Sequence, residues 1–292
     1  VHYVLLLIPI LMWSFVGILV KTAALSFSPA LISFFRFSLG VAALGLYFLA
    51  SRRKPALRCD DRWIWIAAAG KSINYVLENV AITMGYSWGY IVEYPVQAVA
   101  LLALSAIFFR ERVTARKVVA MALCAAGATA VGGAGFSVLR GGGPLVFLLF
   151  IVAACGSAIH LAGQKKLIAR MASGDLNLSV FLLASGLTAL PLPFSGPLLS
   201  GPPILSAVAA MIALGSITGL SFLLWGALIA RVPLLFAGLF GNLSVIFVLV
   251  WGALLYGDPI GPWAIGGTAL FLLGLVLIGL PAKARPDPRR SA

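Results

Sequence analysis

The stretch KSINYVLENVAITMGYSWGYIVEYPVQ, residues 71–97, decides how this chain is to be understood. Lys71, Asn74, Tyr75, Glu78 and Asn79 fall at i, i+3, i+4, i+7 and i+8, so a helix would carry all five on one face. After a turn at Gly85–Gly89, Tyr90, Glu93, Tyr94 and Gln97 fall at i, i+3, i+4 and i+7. Most of the residues between them are apolar. Two neighbouring helices would each carry a polar stripe on an oily surface. In lipid such a stripe is costly unless it meets a partner or a cavity. Two readings stand: the stripes hold the helices together, or they line a functional cavity.

Composition places the whole chain in a bilayer. Of 292 residues, 62% are hydrophobic and only 10% charged, against about a quarter charged in a soluble domain. This is a polytopic membrane protein, with the 31 glycines serving close helix packing. The net charge of +13 does not mark a nucleic-acid partner, because the basic residues sit in short loops between apolar runs. Cys59, Cys124 and Cys155 have no metal-ligand or redox spacing. The first apolar run lacks a small-residue cleavage site and is expected as a retained helix rather than a signal peptide.

Spans of roughly 20 apolar residues are expected at 3–21, 30–50, 63–84, 89–109, 114–133, 144–165, 177–193, 204–230, 234–256 and 261–280. Pro9 invites a kink in the first, and the proline-rich stretch 191–203 is expected as a loop. Trp63, Trp65, Trp88 and Trp263 are expected as interface anchors. Alternate loops and the tail hold Arg52, Arg53, Lys54, Arg58, Arg62, Arg110, Arg112, Arg116, Lys117, Lys165, Lys166, Arg170, Arg231, Lys283, Arg285, Arg289 and Arg290. The opposite loops hold only Lys21 and Arg140. The positive-inside rule then sets both termini in the cytoplasm.

Residues 108–132 resemble residues 255–279 at an offset of 147: Glu111 meets Asp258, and Gly127 and Gly132 meet Gly274 and Gly279. The same offset pairs Pro95 with Asn242. Division into 1–139 and 140–292, the latter ending in a short basic tail, gives each half five spans. An odd number inverts the second copy, the pattern of transporters that bind at the repeat interface. The expected fold is all-α and integral to the membrane, with ten transmembrane helices as two inverted five-helix repeats around a central cavity.

Trp13-Ser-Phe-Val-Gly17, Phe35-Arg-Phe37, Pro95, Arg110-Glu-Arg112 and the glycine-studded span that follows stand in the order and spacing of a known family. The chain resembles the drug/metabolite transporter superfamily and its ten-helix EamA-type exporters, most closely the bacterial aromatic amino acid exporters. Asn242 and Asp258 stand where that family's pattern carries proline and glutamate. The resemblance implies export of small metabolites through the bacterial inner membrane by alternating access, with no cofactor.

An aromatic amino acid needs a donor for its carboxylate, acceptors for its ammonium and an aromatic wall. Candidate substrate contacts are Trp13, Lys71, Asn74, Tyr75, Glu78, Asn79, Tyr90, Tyr94, Gln97, His160, Ser221, Trp225, Asn242 and Ser244. Ser157, His160 and Gln164 share one face, as do Thr218, Ser221, Phe222 and Trp225. Lys71 either meets a substrate carboxylate or snorkels. Trp13 and Trp225 either line the cavity or anchor their helices. His160 has no ligand partner at helical spacing, so no metal site is expected. Arg36 lies inside a span and is expected to pair with Glu78 or Glu93 as an ion pair or gate. The other acid is then free for substrate or proton.

The competing functions are a multidrug exporter of lipophilic cations and a membrane-embedded lipid enzyme. The enzyme would need paired aspartates, a nucleophile–base pair or metal ligands, and the sequence shows none at catalytic spacing. The expected partners are a small-molecule substrate and the lipid bilayer. The oligomeric state is left open, a monomer being sufficient.

Overall fold

The computed structural model describes residues 7–85, 89–131, 135–229, 232, 234–256 and 262–279. Expectations about residues 3–6, Trp88, Arg231, Asp258, the basic tail beyond 279 and the side chain of Arg140 lie outside them. Among the described residues the structure is helical apart from loops and one isolated bridge between Phe27 and Leu199.

The helices are α1 (Leu7–Ser14), α2 (Val16–Ala23), α3 (Pro29–Ala50), α4 (Arg62–Met84), α5 (Glu93–Phe109), α6 (Ala115–Val131), α7 (Gly135–Leu167), α8 (Ser173–Ala189), α9 (Leu205–Ile229), α10 (Leu234–Gly241), α11 (Ser244–Tyr256) and α12 (Pro262–Gly279). A 3-10 turn, Gly89–Val92, leads into α5. Pro29–Ala50, Gly143–Leu167, Ser173–Phe194 and Leu205–Gly226 are long and apolar enough to cross a membrane. At 23 residues α4 spans about 34 Å, but its polar stripe keeps it out of that apolar set.

Local chemistry sets several boundaries. Ser28 caps α3, its side chain accepting from Leu31 N–H, with Pro29 following. Asp61 caps α4 through Trp63 N–H. Several boundaries differ from expectation. The first span breaks at Phe15, where Ser14 Oγ donates to Leu11 C=O at 2.6 Å and accepts from Trp251 Nε1 at 2.7 Å; the turn preceding Pro9, where a proline kink would show, lies outside the described residues. Residues 135–142, expected as loop, are helical up to Gly143, whose φ of 71° kinks the chain before Pro144. The seventh span starts at Ser173 rather than 177, because Ser173 and Asn177 bond to the carbonyls of α9 and so stay inside the bundle. The ninth divides at Asn242 and Leu243, where polar Asn242 and Ser244 are expected to interrupt it.

The repeat appears in the packing itself. Cys124 on α6 donates to the Phe271 carbonyl on α12 at 3.5 Å, and the two stand 147 apart. A Cβ on Gly127 would lie 2.6 Å from Gly267 O and 2.5 Å from Phe271 N. One on Gly274 would lie 2.7 Å from Ala120 O and 2.6 Å from Cys124 Sγ. Each contact is the other displaced by 147, and the helices run antiparallel. The same holds for α3 and α8, where Ser38 bonds Ser185 while Phe48 meets Gly174. Reciprocal contacts between equivalent residues define an approximate two-fold axis, and antiparallel mates are inverted copies.

Straps repeat the relation. The loop after α8 is held at the start of α3, where Ser28 N–H donates to Leu198 C=O and Ser26 Oγ to Pro202 C=O. The loop after α3 is held at the start of α8, where Ala56 N–H donates to Asp175 and Arg58 N–H to Ser179.

Candidate functional site

Glycine brings the polar helices together. A Cβ on Gly70 would lie 2.8 Å from Gly156 O, and one on Gly156 would lie 2.6 Å from Gly70 O, so α4 and α7 pack backbone to backbone. Asn74 and His160, one turn beyond each glycine, then face the same space. That space is a cavity of about 110 Å³, far above the roughly 10–15 Å³ that one water needs.

Its wall draws Trp13 and Val16 from α1 and α2, Arg36 from α3, and Lys71, Asn74, Tyr75 and Glu78 from α4. Tyr90, Glu93, Tyr94 and Gln97 come from the turn and α5. Ser157, His160 and Leu161 come from α7, Phe222 and Trp225 from α9, and Gly241, Asn242 and Ser244 from the break between α10 and α11. Five wall pairs are repeat mates 147 apart: Trp13 with His160, Tyr75 with Phe222, Glu78 with Trp225, Tyr94 with Gly241, and Gln97 with Ser244. The cavity therefore straddles the two-fold axis. The charges do not follow the symmetry. The repeat mates of Arg36, Lys71, Glu78 and Glu93 are Leu183, Thr218, Trp225 and Phe240, none of them charged.

Arg36 is nearly fully buried. Its Nη1 donates to Glu78 Oε1 at 3.3 Å and to Asn79 Oδ1 at 2.8 Å, and the guanidinium lies 3.5 Å from the centre of the Tyr75 ring. Lys71 donates to Asn74 Oδ1 at 2.8 Å and lies 4.2 Å from the centre of Tyr75 and 4.8 Å from that of Phe222. Asn74 Nδ2 faces Glu93 Oε2 and Ala153 O at 3.1 Å and Glu78 Oε2 at 3.4 Å. With two hydrogens it serves the nearer pair best. Among the described residues neither Lys71 nor Glu93 forms an ion pair.

The remaining wall is fastened from behind. Trp13 Nε1 donates to Ser221 at 2.8 Å, and its ring meets Trp225 and Phe222 at 5.1 and 5.2 Å. Tyr94 bonds Ser244, and Gln97 donates to Ser157. His160 Nδ1 lies 3.1 Å from Ala67 O. A carbonyl only accepts, so Nδ1 holds the proton and Nε2 of the neutral ring faces the cavity as an acceptor.

Two expected contacts are not on the wall. Asn79 is turned to Arg36 and Ser33, because eight residues past Lys71 the helix has rotated about 80°. Ser221 is taken up by Trp13. Outside the candidate contacts, Gln164 bonds Asn177 and Thr218 bonds its own helix at Leu214 C=O. Sequence reasoning missed Val16, Leu161 and Gly241, which carry no polar signal. A Cβ on Gly241 would meet Trp225 at 3.3 Å and Trp13 at 3.6 Å. Its one signal was the 147-residue offset from Tyr94.

Among the described residues, seven buried side-chain polar atoms lack a partner: Arg36 Nε, Tyr90 OH, Glu93 Oε1, His160 Nε2, Trp225 Nε1, Ser105 Oγ and Gln164 Oε1. The first five belong to the cavity wall. Bonding groups left idle in a low-dielectric site are costly unless something occupies it. Among the described residues no cluster of His, Cys, Asp and Glu could hold a metal.

No curated protein sequence matches this chain. One solved structure, described only as the crystal structure of a protein, superimposes with a TM-score of 0.77 over 95% of this chain and 96% of its own. At 17% identity that likeness speaks for the fold alone. The model of the EamA-like transporter family matches residues 2–133 and 144–280; the chain belongs to that family of membrane transporters.

Proposed function

We propose that this transporter exports small metabolites, aromatic amino acids foremost, from the cytoplasm through the bacterial inner membrane. Residues 1–139 and 140–292 act as two halves that rock around the central cavity, with both termini cytoplasmic. It is a carrier rather than an enzyme and works without a cofactor. The carrying observation is the cluster of five idle polar atoms among Trp13, Tyr75, Tyr90, Tyr94, Phe222 and Trp225. A ligand with an aromatic side chain and a polar head matches both features. A cavity near 110 Å³, small beside the roughly 300–1,000 Å³ of drug-sized pockets, favours a metabolite over a lipophilic drug.

The test is efflux of radiolabelled phenylalanine from proteoliposomes holding the purified protein, with and without a pH gradient. Expected is flux above empty liposomes that excess tryptophan inhibits. No flux from protein shown to be folded would sink the aromatic assignment.

A further inference from the structure

Lys71 and Glu93 are joined by one amide. Asn74 Oδ1 accepts from Lys71 Nζ at 2.8 Å, and Asn74 Nδ2 donates to Glu93 Oε2 at 3.1 Å. Ordinary amide dimensions then hold the lysine nitrogen and the carboxylate oxygen within about 8 Å of each other. The amide is oriented, with its carbonyl toward the cation and its NH₂ toward the anion. An α-amino acid head has the same polarity, a carboxylate beside an ammonium, and with two charge-assisted hydrogen bonds of about 2.8 Å it spans a gap of the same order.

Neither pole is saturated. Lys71 has three N–H donors, and among the described residues its one hydrogen bond goes to Asn74. Glu93 Oε1 is buried and, among the described residues, without a partner. The other two wall charges, Arg36 and Glu78, are bonded to each other.

We propose that Lys71 and Glu93 are the two poles of a zwitterion-selective site. The ligand's carboxylate accepts from a spare Lys71 donor, and its ammonium donates to Glu93 Oε1. Asn74 is the positioning residue that fixes their spacing. The proposal rests on the transport reading above and narrows it to α-zwitterions, as against amines or acids bearing the same side chain. An amine leaves the Lys71 charge unmatched in a buried site, and an acid leaves Glu93 unmatched; each is penalised as an unpaired buried charge. Sites built around a polar group reject analogues that lack it more strongly than analogues that differ by a methylene.

The test is displacement of tritiated phenylalanine from the purified protein in nanodiscs by phenylalanine, 2-phenylethylamine and 3-phenylpropionate. On the unaltered chain both analogues are expected to compete at least roughly tenfold more weakly than phenylalanine. Lys71→Gln should erase the preference over the amine and keep that over the acid; Glu93→Gln should do the reverse. Asn74→Leu should weaken both preferences together, which a merely structural role would not. Competition by 2-phenylethylamine equal to that of phenylalanine overturns this proposal and leaves the exporter reading standing. Absence of phenylalanine binding to monodisperse, cooperatively melting protein overturns both. Should a variant fail to fold, the analogue series on the unaltered chain still decides.

Discussion

Ser38 and Ser185 share a hydrogen bond of 2.7 Å between their hydroxyls and stand 147 positions apart, so each is bonded to its own repeat mate. A residue can touch its mate only near the two-fold axis. The axis therefore passes between α3 and α8, and again between α6 and α12. Residues equivalent about it should respond alike to the same change. Gly127→Leu and Gly274→Leu should both lower the melting temperature in detergent, each by overpacking worth about 1–3 kcal/mol or more. Gly45→Leu, where a Cβ meets nothing within 4 Å, should leave it unchanged. Unequal effects at the two mates would count against the axis.

The Arg36–Glu78 pair is 2% and 10% exposed at its side chains. Breaking such a pair from one side strands a charge, at a cost of about 3–5 kcal/mol. Glu78→Gln should cost less than Arg36→Met, because Arg36 keeps its bond to Asn79. The double variant Arg36→Met with Glu78→Gln should recover part of the loss. A double-mutant cycle of detergent melts measures this.

Ser221 does its work through Trp13. Ser221→Ala frees the indole from its 2.8 Å bond and should raise the KM for efflux several-fold while the melting temperature hardly moves, since a net hydrogen bond is worth about 1 kcal/mol. Ser221→Thr should restore the KM. An unchanged KM in the alanine variant would show that the indole is held by packing alone.

The end of the bundle beside loop 51–61 carries a polar tie that its repeat counterpart lacks. Gln164 donates to Asn177, whose amide donates to Ser173 O and Phe222 O at 2.8 Å. The mates of Gln164 and Asn177 are Gly17 and Ala30, which offer no such bonds. Asn177→Leu should therefore shift access toward the side bearing loop 51–61. A cysteine at Ser157, labelled with a membrane-impermeant maleimide from each side in a cysteine-free background, should change its labelling ratio several-fold, a shift of about 1 kcal/mol or more.

The wall of the cavity was largely legible because helical periodicity is local. Spacings of three, four and seven residues fix which side chains share a face, whatever packs against them. That brought Lys71, Asn74, Tyr75 and Glu78 together, and Tyr90, Glu93, Tyr94 and Gln97. What escaped depends on partners distant in sequence. Nothing local marked a break at Phe15, where the helix opens and Trp251 reaches Ser14. The seventh span looked four residues shorter than it is, yet α9 carbonyls satisfy Ser173 and Asn177 and let the helix begin at Ser173. Ser221 looked like a ligand contact because periodicity cannot show that Trp13 claims its hydroxyl. Gly241 carried no chemistry at all, and only the repeat offset marked it.

The four charges of the cavity have an electrical consequence. In the zwitterion site proposed above Lys71 and Glu93 both carry charge, so Arg36 and Lys71 offset Glu78 and Glu93, and the proposed cargo adds no net charge. Moving one elementary charge through a membrane potential of 100 mV changes the energy by about 2.3 kcal/mol, a penalty or drive that a balanced carrier does not feel. Phenylalanine flux in proteoliposomes clamped with potassium and valinomycin should thus be the same at zero and at strongly negative interior voltage. On the proposed reading, with no proton moving alongside the cargo, a cell that depolarises would go on emptying itself of cargo at an undiminished rate.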